Sequence, residues 1–220
     1  MYGYVRSGQV VGMECRQIMG MWFCCLTLPA GGGLASLRRR KWWRKMQKAG
    51  VRCAVLPDHL TAEAAQWGIA PVEVYPLRRG VLPRLLDCCP PLTGKTVRLA
   101  APYVTAAVGE AAAILAQRAR YVDLQVGHGG EELAAHLQRR YGLAVGAVGA
   151  VTLTVDFGRG SMGRSIHLGE DCAEHEQVVY HVPQLAAAGI EAEEQLLAAL
   201  FGEEYIKKEE IQVKTILFNA

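Results

Sequence analysis

Gly127-His128-Gly129-Gly130 is the run best placed to bind a ligand, because it joins the end of an apolar strand, Tyr121 to Val126, to the start of a helix, Glu131 to Tyr141. Ligands of open α/β sheets gather at the carboxyl ends of strands, and exposed amides at a helix N-terminus draw anions. Glu131 and Glu132 follow at once and oppose a phosphate there, so a tight loop with an ordinary helix start also accounts for the run. His128 is the first titratable group to substitute, with Asp123 or Gln125 on the preceding strand expected as its nearest polar neighbour. Ala101 and Tyr103, at the end of the strand before, complete the expected ligand site.

Other groupings carry less. Gly158 to Gly163 links two strands and holds Arg159, with Arg164 next to it; the two arginines could grip an anion, but as a hairpin loop the glycines need no ligand. Cys172, His175 and His181, with Asp171 and Glu174 alongside, include a Cys-x2-His spacing that could start a zinc site. A structural zinc takes four ligands and no second such pair occurs in the chain, so no metal is expected. Ser7, Ser36, Ser161 and Ser165 lie outside any Gly-x-Ser-x-Gly elbow. Cys88-Cys89 falls at the C-terminus of an expected helix, where the dipole disfavours a thiolate. Gly94-Lys95-Thr96 ends like a phosphate-binding loop, but position 89 is Cys89 where a glycine is required, and a strand follows where a helix should. Asp156-Phe157-Gly158 lacks the other parts of a kinase.

Leu92-Thr-Gly-Lys-Thr-Val97, leading into a strand, an Ala-rich helix and a second strand, resembles the start of the dinucleotide domain of shikimate-dehydrogenase-like proteins over Leu92 to Gly142. The resemblance implies a βαβ unit in which a glycine-rich turn follows the first strand. Where that family has three glycines this chain has Ala101, Tyr103 and Ala106, with Pro102 between. A tyrosine there obstructs the approach of backbone amides to a pyrophosphate, so the topology is expected without the cofactor site, and no cofactor is expected.

One charge block stands out. Seven of the eleven residues from Arg38 to Lys48 are basic, with Trp42 and Trp43 among them. On a helix Ala35, Trp42, Met46 and Ala49 form an apolar stripe that only Arg39 breaks, leaving Arg39, Arg40, Lys41 and Arg44 as the basic surface to test. Without these seven charges the 24 basic residues of the chain fall below its 21 acidic ones. Glu191 to Glu210 holds seven glutamates, so the expectation is that Trp42 and Met46 pack on a sheet while the basic face is solvated or partly neutralised by that acidic segment.

These residues must be positioned by the elements that periodicity and turn signals predict. Tyr2 to Arg6, Val10 to Cys15 and Met21 to Leu28 read as antiparallel strands, and Leu34 to Lys48 as a helix stopped at Gly50. Strands at 51–56, 72–75, 97–100 and 121–126 alternate with helices at 61–67, 81–88, 104–119 and 131–141. Strands at 148–157, 165–168, 178–182 and 211–218 surround an acidic helix at 192–201. Alternation of this kind predicts an α/β fold with a Rossmann-like, three-layer parallel core of about four strands over residues 34–145. Residues 1–33 and 146–220 would flank it with antiparallel strands, the whole forming one compact unit.

The chain's 220 residues, 51% hydrophobic with a net charge of +3, suffice for a real core. Seven cysteines, four of them in adjacent pairs, suit a reducing compartment better than a disulfide framework. Ile18 to Ala30 is too short to span a bilayer and reads as a strand instead of a signal segment, so a soluble cytoplasmic protein is expected. The leading functional expectation is a non-catalytic binding module for a small molecule or a protein. The alternatives are a nucleotide-cofactor oxidoreductase with a degenerate turn, and binding of nucleic acid or an anionic surface through helix 34–48, which is not favoured.

Overall fold

The computed structural model describes residues 1–29, 34–146, 149–158, 163–169 and 176–218, and of residues 34–38 the backbone only. In chain order the elements are β1 Tyr2–Gly8, β2 Gly12–Ile18, β3 Met21–Pro29, α1 Leu34–Lys48, β4 Cys53–Val55, α2 Asp58–Ala65, β5 Ala70–Pro71, α3 Tyr75–Gly80, α4 Leu82–Asp87, β6 Thr96–Tyr103 and α5 Ala106–Arg118. They continue with β7 Tyr121–His128, α6 Gly130–Tyr141, β8 Ala144–Val145, β9 Val151–Asp156, β10 Ser165–His167, β11 Gln177–His181, α7 Pro183–Ala187, α8 Glu194–Gly202 and β12 Gln212–Leu217. The fold is mixed α/β, with two five-stranded sheets, one of them all-parallel, and eight α-helices among the described residues. No helix among them is long and apolar enough to cross a membrane.

The chain divides into two compact units, Met1–Val74 with Val182–Glu210, and Tyr75–His181 with Ile211–Ala220. The sheet of the first unit has the order β2-β3-β1-β4-β5. β2 and β3 form a hairpin through Met19 and Gly20, both at positive φ (51° and 88°), as the twist of a two-residue turn demands. β1 and β3, expected to be antiparallel, are parallel. The reason lies in β3, whose Phe23, Cys24, Cys25 and Leu26 are buried in succession; a strand apolar on both faces needs a neighbour on each side and two covered faces. Trp43 and Met46 of α1 are fully buried in this core. Gly3 of β1 makes room for them, since a Cβ there would lie 2.4 Å from Met46 Cε and 2.8 Å from Ala54 Cβ.

The sheet of the second unit has the order β10-β9-β6-β7-β8 and every pairing in it is parallel. This corrects the expected position of the parallel core: its strands come from residues 96–167, while β4 and β5 join the N-terminal strands. β9 and β10, expected among the antiparallel flanks, belong to the parallel sheet; β11 and β12 pair antiparallel. Periodicity marks strands without naming their partners, which is why most elements were legible and the pairing was not, and the strand expected at 72–75 is corrected to β5 at Ala70–Pro71 with α3 opening at Tyr75.

Consecutive parallel strands of one sheet ordinarily need a crossover of a dozen residues or more, and β8 and β9 are not even neighbours in it. Only five residues separate Val145 from Val151, and the register explains how they suffice. Thr96 pairs with both Tyr121 and Val151, and Tyr121 with Ala144, so β6, β7, β8 and β9 all begin at one level. The chain has to travel only sideways, over three strand spacings or roughly 14 Å, which is within reach of that length.

Candidate functional site

Strand alternation gives β6 two unlike faces. Val97, Leu99 and Ala101 are buried on one face, with Val122 and Val155 as neighbours, and α5 and α6 pack on β6 and β7. The other face is polar. Register lays two rows across four strands there: Asp123, Arg98, Thr154 and Ser165, then Gln125, Ala100, Asp156 and His167 nearer the carboxyl ends.

Each charged group in these rows has a fixed partner. Arg98 Nε donates to Asp123 Oδ2 at 2.7 Å, and Gln125 Nε2 to Asp123 Oδ1 at 3.3 Å. Asp156, fully buried, accepts from the Gly158 amide at 2.9 Å. His167 Nδ1 lies 2.7 Å from Glu176 Oε2, and Glu176 Oε1 accepts from Arg78 Nη1 at 2.8 Å and from the His167 amide at 3.1 Å. Arg78 and Glu176 are 2% and 1% exposed. Among the described residues every buried side-chain nitrogen or oxygen has a partner. A hydrogen-bonded carboxylate that is itself clamped by an arginine fixes the orientation of an imidazole, which is how a protein preorganises a ligand-contacting group.

The residues expected from sequence lie at the same end of the sheet on its other face. Tyr103 pairs with His128 across β6 and β7, and the Val104 amide donates to the His128 carbonyl at 3.0 Å. Ala101 is buried, whereas Tyr103 is 56% exposed. Gly127 precedes His128 in β7, and Gly129 caps α6 at φ +83°. A Cβ on Gly129 would lie 3.1 Å from Val104 Cγ2, and one on Gly130 would lie 3.3 Å from Val126 Cβ, so these glycines serve the turn and its packing. Asp123 and Gln125, expected beside His128, point to the opposite face of β7 and engage Arg98 and each other instead. Near the end of β6 Pro102 has no amide hydrogen, and in the turn to α5 the Val104 amide is taken by the His128 carbonyl and the Val108 amide by the Thr105 hydroxyl at 3.2 Å, so these three positions offer a pyrophosphate no free amide.

The lesser groupings also resolve. Residues 159–162, Asp171, Cys172, Glu174 and His175 lie outside the described residues, and His181 ends β11. Among the described residues no group of three His, Cys, Asp or Glu could hold a metal ion. The segment after Asp156 is no hairpin, because β9 and β10 are parallel. Burial, with Cys88 and Glu176 nearby, pushes the Cys89 thiol up to about 11, and burial with Asp87 raises Cys88. Neither is an activated nucleophile. In the first unit Arg39 turns inward to Glu63 at 2.9 Å, while Arg40, Lys41 and Arg44 are exposed. Trp43 takes the buried place expected of Trp42, its indole donating to Glu63 at 2.9 Å. Glu193 and Glu203 of the acidic segment accept from Tyr4 and Tyr2.

Arg78, His167 and Glu176 were not singled out by their local sequence, and Asp156 only within a kinase-like triplet that lacks its partners. The available signal was polar residues at alternate positions, Thr154 and Asp156, Ser165 and His167, in strands otherwise apolar enough for a core. No protein-family model, curated protein or solved structure matches this chain.

Proposed function

We propose that residues 75–181 with 211–218 form a Rossmann-like unit that binds a small polar molecule, without converting it, at the carboxyl ends of β6, β7 and β9. The observation that carries this reading is the strand order. From β6 the chain proceeds through β7 to β8 on one side and places β9 and β10 on the other, all parallel. Segments leaving the strand ends in opposite directions open a crevice at such a reversal, and ligands bind there.

Gln125 and Asp156 flank the small Ala100 in the last polar row before those ends, His167 lies beyond Asp156, and Tyr103 with His128 stands on the other face. An amide, a carboxylate, imidazoles and a phenol suit a ligand bearing hydroxyl or amino groups. Binding is favoured over chemistry because the Glu176 carboxylate is engaged by Arg78 and the His167 amide, and because burial raises the thiols of Cys88 and Cys89. The turn closed by Pro102 and Thr105 argues against an oxidoreductase using a dinucleotide. A reducing cytoplasm suits the free thiols of Cys24, Cys25, Cys88 and Cys89.

Thermal-shift measurement of the full chain against polyols, amino acids, sugar phosphates, nucleotides and NAD(P) at millimolar concentration tests the proposal. A polar metabolite should raise Tm, and Gln125→Ala or Asp156→Asn should abolish that rise. Stabilisation by NAD(P) would favour the oxidoreductase, and a stabilising ligand indifferent to both substitutions would place the site elsewhere.

A further inference from the structure

We infer a second binding surface, in the first unit and independent of the site above: the outward face of α1 takes the phosphate backbone of a nucleic acid. Arg40, Lys41, Arg44, Lys45 and Lys48 are all exposed. At 3.6 residues per turn they share an arc of about 140°, with Arg40, Arg44 and Lys48 in one row and Lys41 and Lys45 in the next. The opposite arc is occupied by the protein itself: Trp43 and Met46 are buried, Gln47 donates to the Trp67 carbonyl at 2.9 Å, and Arg39 pairs with Glu63.

The helix contains no acidic residue, and the pairs Arg40–Arg44, Arg44–Lys48 and Lys41–Lys45 place like charges four residues apart. Each such pair weakens a helix, so stability gives no reason for the arrangement. Lys45 Nζ sits 4.3 Å over the Trp42 ring and Arg44 5.8 Å over Trp67, which steadies two of the cations while leaving them open to solvent.

A helix that lies on a membrane inserts an apolar face, and the apolar face of α1 is already buried in the core. What remains is a strip of positive charge alone. Its longer row spans about 12 Å at 1.5 Å per residue. A nucleic-acid strand presents a phosphate about every 3.4 Å of axis, so the row faces three or four of them without reading bases.

Fluorescence anisotropy of a labelled 20-base-pair duplex with the full chain tests this. Five phosphate contacts imply a slope of log affinity on log salt near −4.5, a loss of roughly 500-fold between 50 and 200 mM. Replacing Arg40, Lys41, Arg44 and Lys48 by Gln, which keeps helix propensity, should remove most of the binding. The same replacement of the exposed Arg16, Arg52, Lys207 and Lys214 should leave it within about twofold of the parent. The salt slope of the unsubstituted chain is read whether or not the variants fold. Absence of binding at 50 mM salt, equal loss in both variants, or capture by phosphatidylserine vesicles but not by the duplex would overturn the inference.

Discussion

Arg78 and Glu176 bury a full charge each, and their mutual contact is worth having only while both are present. Taking away one partner strands the other in a medium that cannot solvate it, whereas replacing both with apolar groups can be nearly neutral. Arg78→Met should therefore lower the unfolding free energy in urea by about 3–5 kcal/mol, and the double variant Arg78→Met with Glu176→Leu by much less. A fall in the double variant as large as in the single one would show that packing, and not charge, is at stake. Cys89 makes a second expectation at this scale. Its thiol is lifted from an ordinary 9.0 to about 11 by burial first and by Cys88 next, so the folded state holds a proton that the unfolded state gives up. The stabilising contribution is complete below pH 9 and disappears as pH rises towards 11. The urea midpoint of the parent should fall across that window more steeply than that of Cys89→Ala.

Elements show how close approaches are built and how much of them the sequence revealed. A Cβ on Gly169 would lie 2.6 Å from both the carbonyl carbon and the oxygen of Phe157, which are backbone and cannot swing aside. At Gly3 the nearest atom is the flexible end of Met46, and the resistance comes from two side chains, Ala54 at 2.8 Å and Val51 at 3.1 Å. Gly169→Ala should cost more than Gly3→Ala, whose loss we place at about 1–3 kcal/mol, and chemical denaturation of the two variants ranks them. Helix α1 spans the fifteen residues its periodicity predicted, and α6 ends at the predicted Gly142 in left-handed conformation, because caps and apolar stripes are written locally. The pairing of β9 with β10 is not written locally. Asp156 and His167 become neighbours only through it, so that row of the candidate site was invisible, whereas the Gly127–Gly130 turn was plain. The inward turn of Arg39 was half legible: it breaks the apolar stripe, but its partner Glu63 lies on another helix.

At the scale of the molecule, the chain leaves the first unit after Val74 and returns to it at Val182. The return is stitched to the sheet: Gln195 of α8 accepts from the Leu56 amide at 2.8 Å and donates to its carbonyl at 3.2 Å, in the manner of an extra strand. Leu196, Leu197 and Leu200 are buried beside it. A chain ending at His181 should consequently lose hydrogen-exchange protection in β4, and Gln195→Ala in the full chain should cost about 1–3 kcal/mol by unpairing two backbone groups. Undiminished protection of β4 in the shortened chain would mean that residues 1–74 fold without α8. Strand length at the sheet margins has a further consequence. Of the four margins of the two large sheets, β5, β8 and β10 offer only two or three residues each, too little backbone for a foreign strand to zip onto. β2 alone is long, seven residues and mostly exposed, with Glu14 and Arg16 along it. Among the described margins of the two large sheets, resistance to edge-to-edge aggregation thus rests on those two charges, and neutralising them exposes the longest of the four to pairing with another copy of this chain.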